Sequence, residues 1–241
     1  MKVVVIVRTL NEADNIGKFC LSYVDADKIL VSDGGSTDDT VSIAEKFNNV
    51  EVLHFNKRIE LQNGYWVNKV ASGINFLIGH ANKHHPDWII FDDCDCRPNA
   101  LLKKDYREML ERNNYSDFVM AVRLYLWGND QHFPDLAKPY DNHTRYGAGL
   151  WAWRGNQKLW ANDAFPHFTF RLGNTVIKDF AKDAACHDLM PPYCLLHCPW
   201  PTEQKVEEKL KFYRDSGLIP LMQHPLNFGG HLEPLPDWAK E

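Results

Sequence analysis

The chain lacks any run of apolar residues that approaches the ~20 needed to cross a lipid bilayer. Its first apolar segment, Lys2–Val7, is too short to be the hydrophobic region of a secretory signal. An excess of positive charge is also missing. Because the formal net charge is -5 at pH 7, neither nucleic acid nor an anionic membrane is expected as the main partner. We therefore expect a cytoplasmic protein with no transmembrane segment, in which the six cysteines stay reduced.

Two patterns that mark common cofactor sites are absent as well. No C-x-x-C pair occurs, and no zinc-binding spacing is matched by the cysteine–histidine group of the C-terminal half, namely Cys186, His187, Cys194, His197 and Cys198. No G-x-G-x-x-G follows the first predicted strand, which disfavours a dinucleotide-dependent oxidoreductase. The composition, 44% hydrophobic and 24% charged, is ordinary for a globular protein, and 241 residues suffice for one buried core.

The N-terminal half alternates strand-like and helix-like segments. Apolar runs typical of strands buried on both faces of a parallel sheet occur at Lys2–Val7, Lys28–Ser32, Val50–Phe55 and Trp88–Phe91. Helix starts are predicted by two pairs that match a capping box, Thr9 with Glu12 and Ser36 with Asp39. A 3.6-residue period predicts another helix over 62–81, and Pro98 is expected in the first turn of the next. This order predicts an α/β fold.

The C-terminal half carries weaker signals. Asp117–Trp127 and Tyr146–Arg154 have the pattern of strands, separated by a long polar loop of the kind used for binding or as a lid. No element is assigned to 161–185. A last helix is predicted to begin after Thr202 and to end at Gly217.

Carboxylates directly follow two of the predicted strands. Asp92, Asp93 and Asp95 stand after the fourth strand, and Asp33 takes the same place after the second. The carboxyl ends of parallel strands lie at one edge of the sheet, where open α/β folds bind ligands. Carboxylates held close together repel one another, so this edge favours a divalent cation, although a solvated acidic turn would give the same pattern.

Three motifs in this order resemble the inverting family 2 glycosyltransferases of GT-A fold. They are T-L-N-E after the first strand, V-S-D-G-G-S-T-D-D-T after the second and D-C-D after the fourth, and they cover residues 1–100. The resemblance implies a three-layer α/β/α fold with a mixed central sheet, in a single domain over 1–241. Residues 1–115 would bind the donor, a nucleoside-diphosphate sugar, and 116–241 would form the acceptor side. The acceptor would be a hydroxyl group of a glycan, a lipid or another molecule.

The resemblance also assigns residues to the nucleotide. Thr9 and Glu12 of the first loop would hold the nucleoside, with Asp33 near the base. UDP is slightly favoured because a carboxylate fits the N3–H of uracil. Lys69, on the helix before the fourth strand, could reach the diphosphate, although a solvated lysine is the preferred interpretation.

A metal site is implied at the D-x-D pair. Asp93 and Asp95 would hold Mn2+ or Mg2+ on the diphosphate, with Asp95 the more direct ligand and Asp93 also close to the nucleotide. The additional Asp92 leaves the register of the pair open. Enzymes of this fold commonly add a histidine from the C-terminal part, and His197 in L-L-H-C-P-W-P is the candidate, with a core histidine as the alternative.

The catalytic base is not marked by the usual family motif in this sequence. Inversion needs a carboxylate that deprotonates the acceptor hydroxyl, and the family often supplies it in an E-D dipeptide, which this sequence lacks. Asp188 and Asp163 are the candidates, with Asp188 preferred. Trp151, Trp153 and Trp160 could form an acceptor wall or fill the core.

Because the E-D pair is missing, a non-catalytic binding domain remains an alternative. A sugar nucleotidyltransferase is another, but it would need a Gly-rich basic loop after the first strand.

Overall fold

The structure is a computed structural model that describes residues 1–60, 66–68, 70–113, 115–128, 131–132, 148–164, 167–172, 175–176, 186–189, 191–200, 202–215 and 232–240. Its helices are α1 Ala13–Ser22, α2 Thr40–Ala44, α3 Val70–Lys83, α4 Ala100–Arg112 and α5 Glu203–Asp215. Its strands are β1 Val3–Thr9, β2 Lys28–Asp33, β3 Val50–His54, β4 Arg58–Glu60, β5 Trp66–Asn68, β6 Trp88–Phe91, β7 Cys96–Pro98, β8 Phe118–Trp127, β9 Gln131–His132, β10 Ala148–Arg154, β11 Leu159–Ala164, β12 His167–Leu172, β13 Thr175–Val176, β14 Cys186–Leu189, β15 Leu195–Trp200 and β16 Glu233–Pro234.

The four strands predicted in the N-terminal half form the parallel part of the sheet. β1 pairs in parallel with β2 on one side and with β6 on the other, and β3 lies beyond β2. The side chains of Val3–Val7 are fully buried, as expected for a strand covered on both faces. The parallel register places Thr9 opposite Asp33, so the two loops that follow these strands leave the sheet together.

The second half turns the sheet into a mixed one. β10 lies between β6 and β8 and runs antiparallel to both. β14 and then β15 run parallel to successive parts of β8. The predicted strands at 117–127 and 146–154 are therefore confirmed, and the mixed central sheet is confirmed with them. β11, β12 and β13 form a separate antiparallel sheet within the segment that the sequence left unassigned.

Helices cover both faces of the parallel strands. Alternate residues of β1 enter two different hydrophobic clusters, with Val5 in one and Val4 in the other. The first cluster includes the buried faces of α1 and α4, and the second includes the buried face of α3. This arrangement is the three-layer architecture that the sequence predicted.

Both predicted capping boxes are wrong. α1 starts at Ala13 with Glu12 at its N-cap, and no side chain of its own segment caps it. Instead the next loop supplies the acceptors: Asp38 Oδ2 accepts from Ala13 N at 3.1 Å, and Thr40 Oγ1 accepts from Glu12 N at 2.7 Å. Asn11 adopts a φ of 55°, which turns the chain before the helix. The polar side chains of these loops thus bond across to each other rather than along the chain.

The second pair fails for a similar reason. α2 begins at Thr40 after Asp39, and the hydroxyl of Ser36 is bonded to Asp33 instead of capping the helix. The starts of α3 and α4 also differ from the prediction. α3 begins at Val70 rather than 62, and Pro98 ends β7, so that Asn99 becomes the N-cap of α4 and accepts from Leu102 N at 3.1 Å.

Candidate active site

The loops after β1 and β2 are joined by hydrogen bonds at the carboxyl edge of the sheet. Gly34 N donates to the carbonyl of Thr9 at 2.9 Å, Asn11 N donates to Ser36 Oγ at 2.9 Å, and Thr37 N donates to Asn11 Oδ1 at 2.8 Å. The hydroxyl of Thr9 is buried without a hydrogen-bond partner among the described residues. The two loops that the sequence assigned to the nucleoside therefore form one hydrogen-bonded surface. Within it, the buried hydroxyl of Thr9 can still accept or donate a hydrogen bond.

Asp33 shapes this surface from beneath. Its carboxylate is 2% exposed and accepts hydrogen bonds from Gly35 N, from Ser36 N and, at 2.6 Å, from Ser36 Oγ. Gly35 has a φ of 94°, a conformation that a residue with a side chain rarely adopts. His54 lies opposite in β3, with Nδ1 3.6 Å from Asp33 Oδ2. A carboxylate has about four acceptor sites, and the four hydrogen bonds from Gly35 and Ser36 engage them, so Asp33 holds this loop in place.

Asp92 faces inward and belongs to a buried network. Arg123 Nη2 lies 3.5 Å from its Oδ1, and the Tyr23 hydroxyl donates to its Oδ2 at 3.5 Å. Trp151 Nε1 in turn donates to the Tyr23 hydroxyl at 3.2 Å. Burial raises the pKa of Asp92 to about 6, against the opposing effects of Arg123 and of the hydrogen bond from Cys96. Asp92 is fully buried and thus points into the core rather than toward the edge of the sheet.

Asp93 and Asp95 point in other directions from the same loop. Asp93 is paired with Arg8 of β1, whose Nη2 lies 3.3 Å from Asp93 Oδ1. Asp95 lies beside β15, because β7 pairs with β15 and sets Cys96 opposite His197. The loop therefore presents one carboxylate toward β1 and another toward the C-terminal part of the chain.

Asp95 collects the polar groups that come from that part. His197 Nε2 lies 3.4 Å from its Oδ1, and Lys209 Nζ of α5 lies 3.9 Å from its Oδ2. Burial alone would raise the pKa of Asp95, but the His197 hydrogen bond and the charges of His197 and Lys209 lower it to about 2. Burial raises the pKa of Glu12, and the negative charges of Asp95 and Asp93 raise it further, against the hydrogen bond from Asn15.

The donor atoms at this point could hold a cation. Ligand atoms of Asp95, Cys96 and His197 lie within 4.8 Å of one another, the one such group of three found among the described residues. Burial raises the pKa of the Cys96 thiol well above its usual value, and the carboxylate of Asp95 and the imidazole of His197 are the oxygen and nitrogen ligands in the group. His197 Nδ1 is buried without a hydrogen-bond partner in the described part of the chain. This oxygen–nitrogen set fits Mn2+ or Mg2+ with further oxygens from a diphosphate.

The sequence missed the residues that support this edge. Tyr23, Arg123 and Lys209 stand alone in α1, β8 and α5, and no local pattern distinguishes them from core or surface residues. For Lys209 the sequence contained one signal, the predicted helix that begins after Thr202, shortly after His197. In the structure Thr202 Oγ1 accepts a hydrogen bond from Lys205 N at the start of that helix, α5, which carries Lys209.

The remaining predicted residues are not joined to this group. Lys69 lies outside the described residues. The backbone of Asp163 lies in β11 opposite Phe168. The backbone of Asp188 lies in β14 opposite Met120, whereas His197 is opposite Tyr125. Five residues of β8, or roughly 17 Å, therefore separate the backbones of Asp188 and His197.

The proposed acceptor wall is largely core. Trp151 and Trp153 are fully buried, and Trp160 is 38% exposed. Of the three tryptophans, Trp160 alone is open to a ligand, so the first two serve packing and, for Trp151, the support of Tyr23.

Among the described residues no helix is both long and apolar enough to cross a membrane.

Solved structures with the same architecture are glycosyltransferases. Residues 1–349 of TarS from Staphylococcus aureus superimpose with a TM-score of 0.56 at 17% identity, covering 93% of this chain and 67% of that one. Glucosyl-3-phosphoglycerate synthase from Mycobacterium tuberculosis, with Mn2+, UDP and glucosyl-3-phosphoglycerate bound, gives a TM-score of 0.50 at 15% identity, covering 98% and 87%. At these identities the likeness establishes the fold, which is the predicted GT-A fold.

Sequence comparison establishes the family. The profile described as glycosyl transferase family 2 matches residues 4–195, and the chain belongs to that family. An uncharacterized protein of Mycobacterium tuberculosis H37Rv, Rv3786c, is 25% identical over 169 residues, which are 66% of this chain and 41% of the relative. The match to an uncharacterized protein of Mycobacterium bovis has the same extent. This chain thus spans about two fifths of the length of these curated relatives.

Proposed function

We propose that the chain is a metal-dependent glycosyltransferase that transfers a sugar, with inversion, from a nucleoside-diphosphate sugar to a hydroxyl acceptor. The observation that carries the proposal is the meeting of Asp95 and His197, 3.4 Å apart, at the sheet edge that also holds the loops of Thr9 and Asp33. The ligands of structural relatives support the donor class, because TarS has been solved with UDP-GlcNAc and the M. tuberculosis synthase with Mn2+ and UDP.

The proposed roles follow from charge and position. Asp95 and His197 would hold Mn2+ or Mg2+. Asp93, which stands in the same loop but is paired with Arg8, is the proposed second carboxylate. Such a cation acts as a Lewis acid that stabilises the charge developing on the diphosphate as it leaves. Lys209, 3.9 Å from Asp95, adds a second positive charge at the place where that leaving group would lie. Thr9, Glu12 and Asp33 bind the nucleoside, and UDP is the favoured nucleotide.

The acceptor side of the reaction requires a base. The acceptor hydroxyl attacks the anomeric carbon, its proton passes to a carboxylate, and the bond to the diphosphate breaks on the opposite face of the sugar. Asp188 and Asp163 are the proposed bases. Of the two, Asp188 stands in a strand of the same sheet as His197, which keeps it the preferred candidate.

Nucleotide binding tests the proposal directly. With UDP at about 100 times its dissociation constant and Mn2+ present, we expect the free energy of unfolding to rise by about 2.7 kcal/mol, and Tm by roughly 5–10 °C. The measurement is a thermal-shift panel of nucleoside diphosphates with Mn2+, with Mg2+ and with a chelator. An equal shift with the chelator would exclude the metal assignment. The absence of a shift with every nucleotide would exclude the donor class, and binding without turnover would favour the non-catalytic alternative.

Two single substitutions should change metal affinity in opposite directions. His197→Ala removes a ligand, so we expect the affinity for Mn2+ to fall by about 10- to 100-fold. Lys209→Ala removes a positive charge 3.9 Å from Asp95 Oδ2, so we expect Mn2+ to bind more tightly in the absence of nucleotide. Isothermal titration with Mn2+ measures both, and His84→Ala is the control, because His84 lies between α3 and the start of β6, at the opposite end of β6 from Asp92. Unchanged affinity in His197→Ala would make His197 a core residue without a metal role.

A further inference from the structure

A cavity lies outside the candidate active site, between α1, β7 and the start of α4. Its volume is about 510 Å³, and we call it the basic cavity because its walls carry Lys18, Arg97, Lys103 and Lys104 with a single carboxylate, Asp25. None of the residues assigned above to the metal or the nucleotide lines it. A volume of this size is typical of a small-molecule site.

The three lysines of the basic cavity have no ion-pair partner among the described residues. No carboxylate of the described residues lies within ion-pair distance of Lys18, Lys103 or Lys104, although Asp25 shares the cavity. Exposed lysines elsewhere do have such partners, among them Lys211 with Asp215. In a chain with a net charge of -5, four cations around one opening are a local reversal of sign. Such a reversal attracts an anion.

We propose that the basic cavity binds a phosphate ester. A phosphomonoester carries close to two negative charges and three acceptor oxygens. It therefore matches three lysine ammonium groups and one planar guanidinium better than a ligand with a single carboxylate would. Leu21, which is 53% exposed, and Pro98 give the cavity an apolar wall for the organic part of the ester. The chemistry is shared by two sources, a soluble phosphorylated metabolite and the headgroup of an anionic lipid.

The basic cavity and the candidate active site share strand β7. Arg97 lies in β7 two residues after Asp95, and its strand partner Leu196 precedes His197. The proposal does not depend on sugar transfer, since it concerns residues with no part in the donor site.

The test compares two double variants with equal changes of charge. Lys103→Glu with Lys104→Glu reverses two exposed charges of the cavity, and Lys46→Glu with Lys83→Glu reverses two exposed lysines outside it. The probes are inorganic phosphate and sn-glycerol 3-phosphate in titration calorimetry, and phosphatidylcholine vesicles with and without phosphatidic acid, whose headgroup is a phosphomonoester, in sedimentation. We expect the cavity variant to lose about tenfold or more in affinity, and the control variant to bind as the unmodified chain does.

Each outcome decides the matter. Loss of sn-glycerol 3-phosphate binding in the cavity variant alone supports the proposal with a soluble ligand. Loss of vesicle binding alone, with no binding of the soluble esters by the unmodified chain, supports it with a lipid headgroup. No binding of any probe, or an equal loss in both double variants, overturns it. Nucleoside diphosphate binding with Mn2+, measured in the same preparations, reports separately on the proposed function.

Discussion

Asp95→Asn is expected to reduce hydrolysis of the donor sugar by about 100-fold or more, because the substitution removes the carboxylate at which the proposed metal, His197 and Lys209 meet. A metal ion at a leaving phosphate contributes several kcal/mol to transition-state stabilisation, and about 2.7 kcal/mol corresponds to 100-fold in rate. The amide keeps the size of the side chain and one oxygen, so the fold should persist. Release of nucleoside diphosphate from the donor sugar measures the rate, and circular dichroism checks the fold.

The control for this experiment is another aspartate near the same edge. Asp14 lies in the first turn of α1 and is exposed, so Asp14→Asn makes the same chemical change without touching the metal group. It should retain the full rate. Retained turnover in Asp95→Asn, with the fold intact, would place the metal elsewhere, and Asp93→Asn would then be the next variant to measure. Loss of turnover without loss of Mn2+ affinity would assign Asp95 to catalysis rather than to the metal.

The parallel part of the fold was predictable because its signals are local. The β-branched run of Lys2–Val7 and the apolar run of Trp88–Phe91 specify buried strands wherever they occur, and short helical connections make such strands parallel. The carboxyl edge followed from that topology alone. The pairing of Asp95 with His197 was predictable from the family resemblance, whereas its physical cause, the antiparallel contact of β7 with β15, has no local signal.

The residues that failed prediction are those whose partners are distant in sequence. Capping boxes assume that a side chain bonds along its own segment, but Asp38 bonds Ala13, 25 positions away. Asp92 could be read as a ligand from its position, yet burial and Arg123 make it a structural charge. Arg123 itself stands in a strand of alternating burial, where a charge usually faces solvent. Long-range polar pairs of this kind are visible only once the sheet order is known.

Gly149→Ala is expected to destabilise the protein by about 2–4 kcal/mol, because Gly149 makes room for a side chain that crosses a strand. Arg123 belongs to β8, Asp92 follows β6, and β10 lies between them. A Cβ at Gly149 would overlap Nη1 of Arg123. The other nitrogen of that guanidinium, Nη2, lies 3.5 Å from Oδ1 of the fully buried Asp92, so we expect a displaced guanidinium to weaken this contact. Breaking a buried ion pair leaves an uncompensated charge, and this is the source of the expected loss.

The matched control is the same substitution at a glycine with open space. Gly79 lies in α3, and a Cβ there would meet nothing within 4 Å, so Gly79→Ala should stabilise the chain by about 0.5–1 kcal/mol. Urea unfolding of both variants measures the difference in sign. If Gly149→Ala also raised the free energy of unfolding, the Arg123–Asp92 contact would carry no stability. If it lowered that free energy, Mn2+ affinity should fall with it, because Asp92 holds the loop in which Asp93 and Asp95 stand.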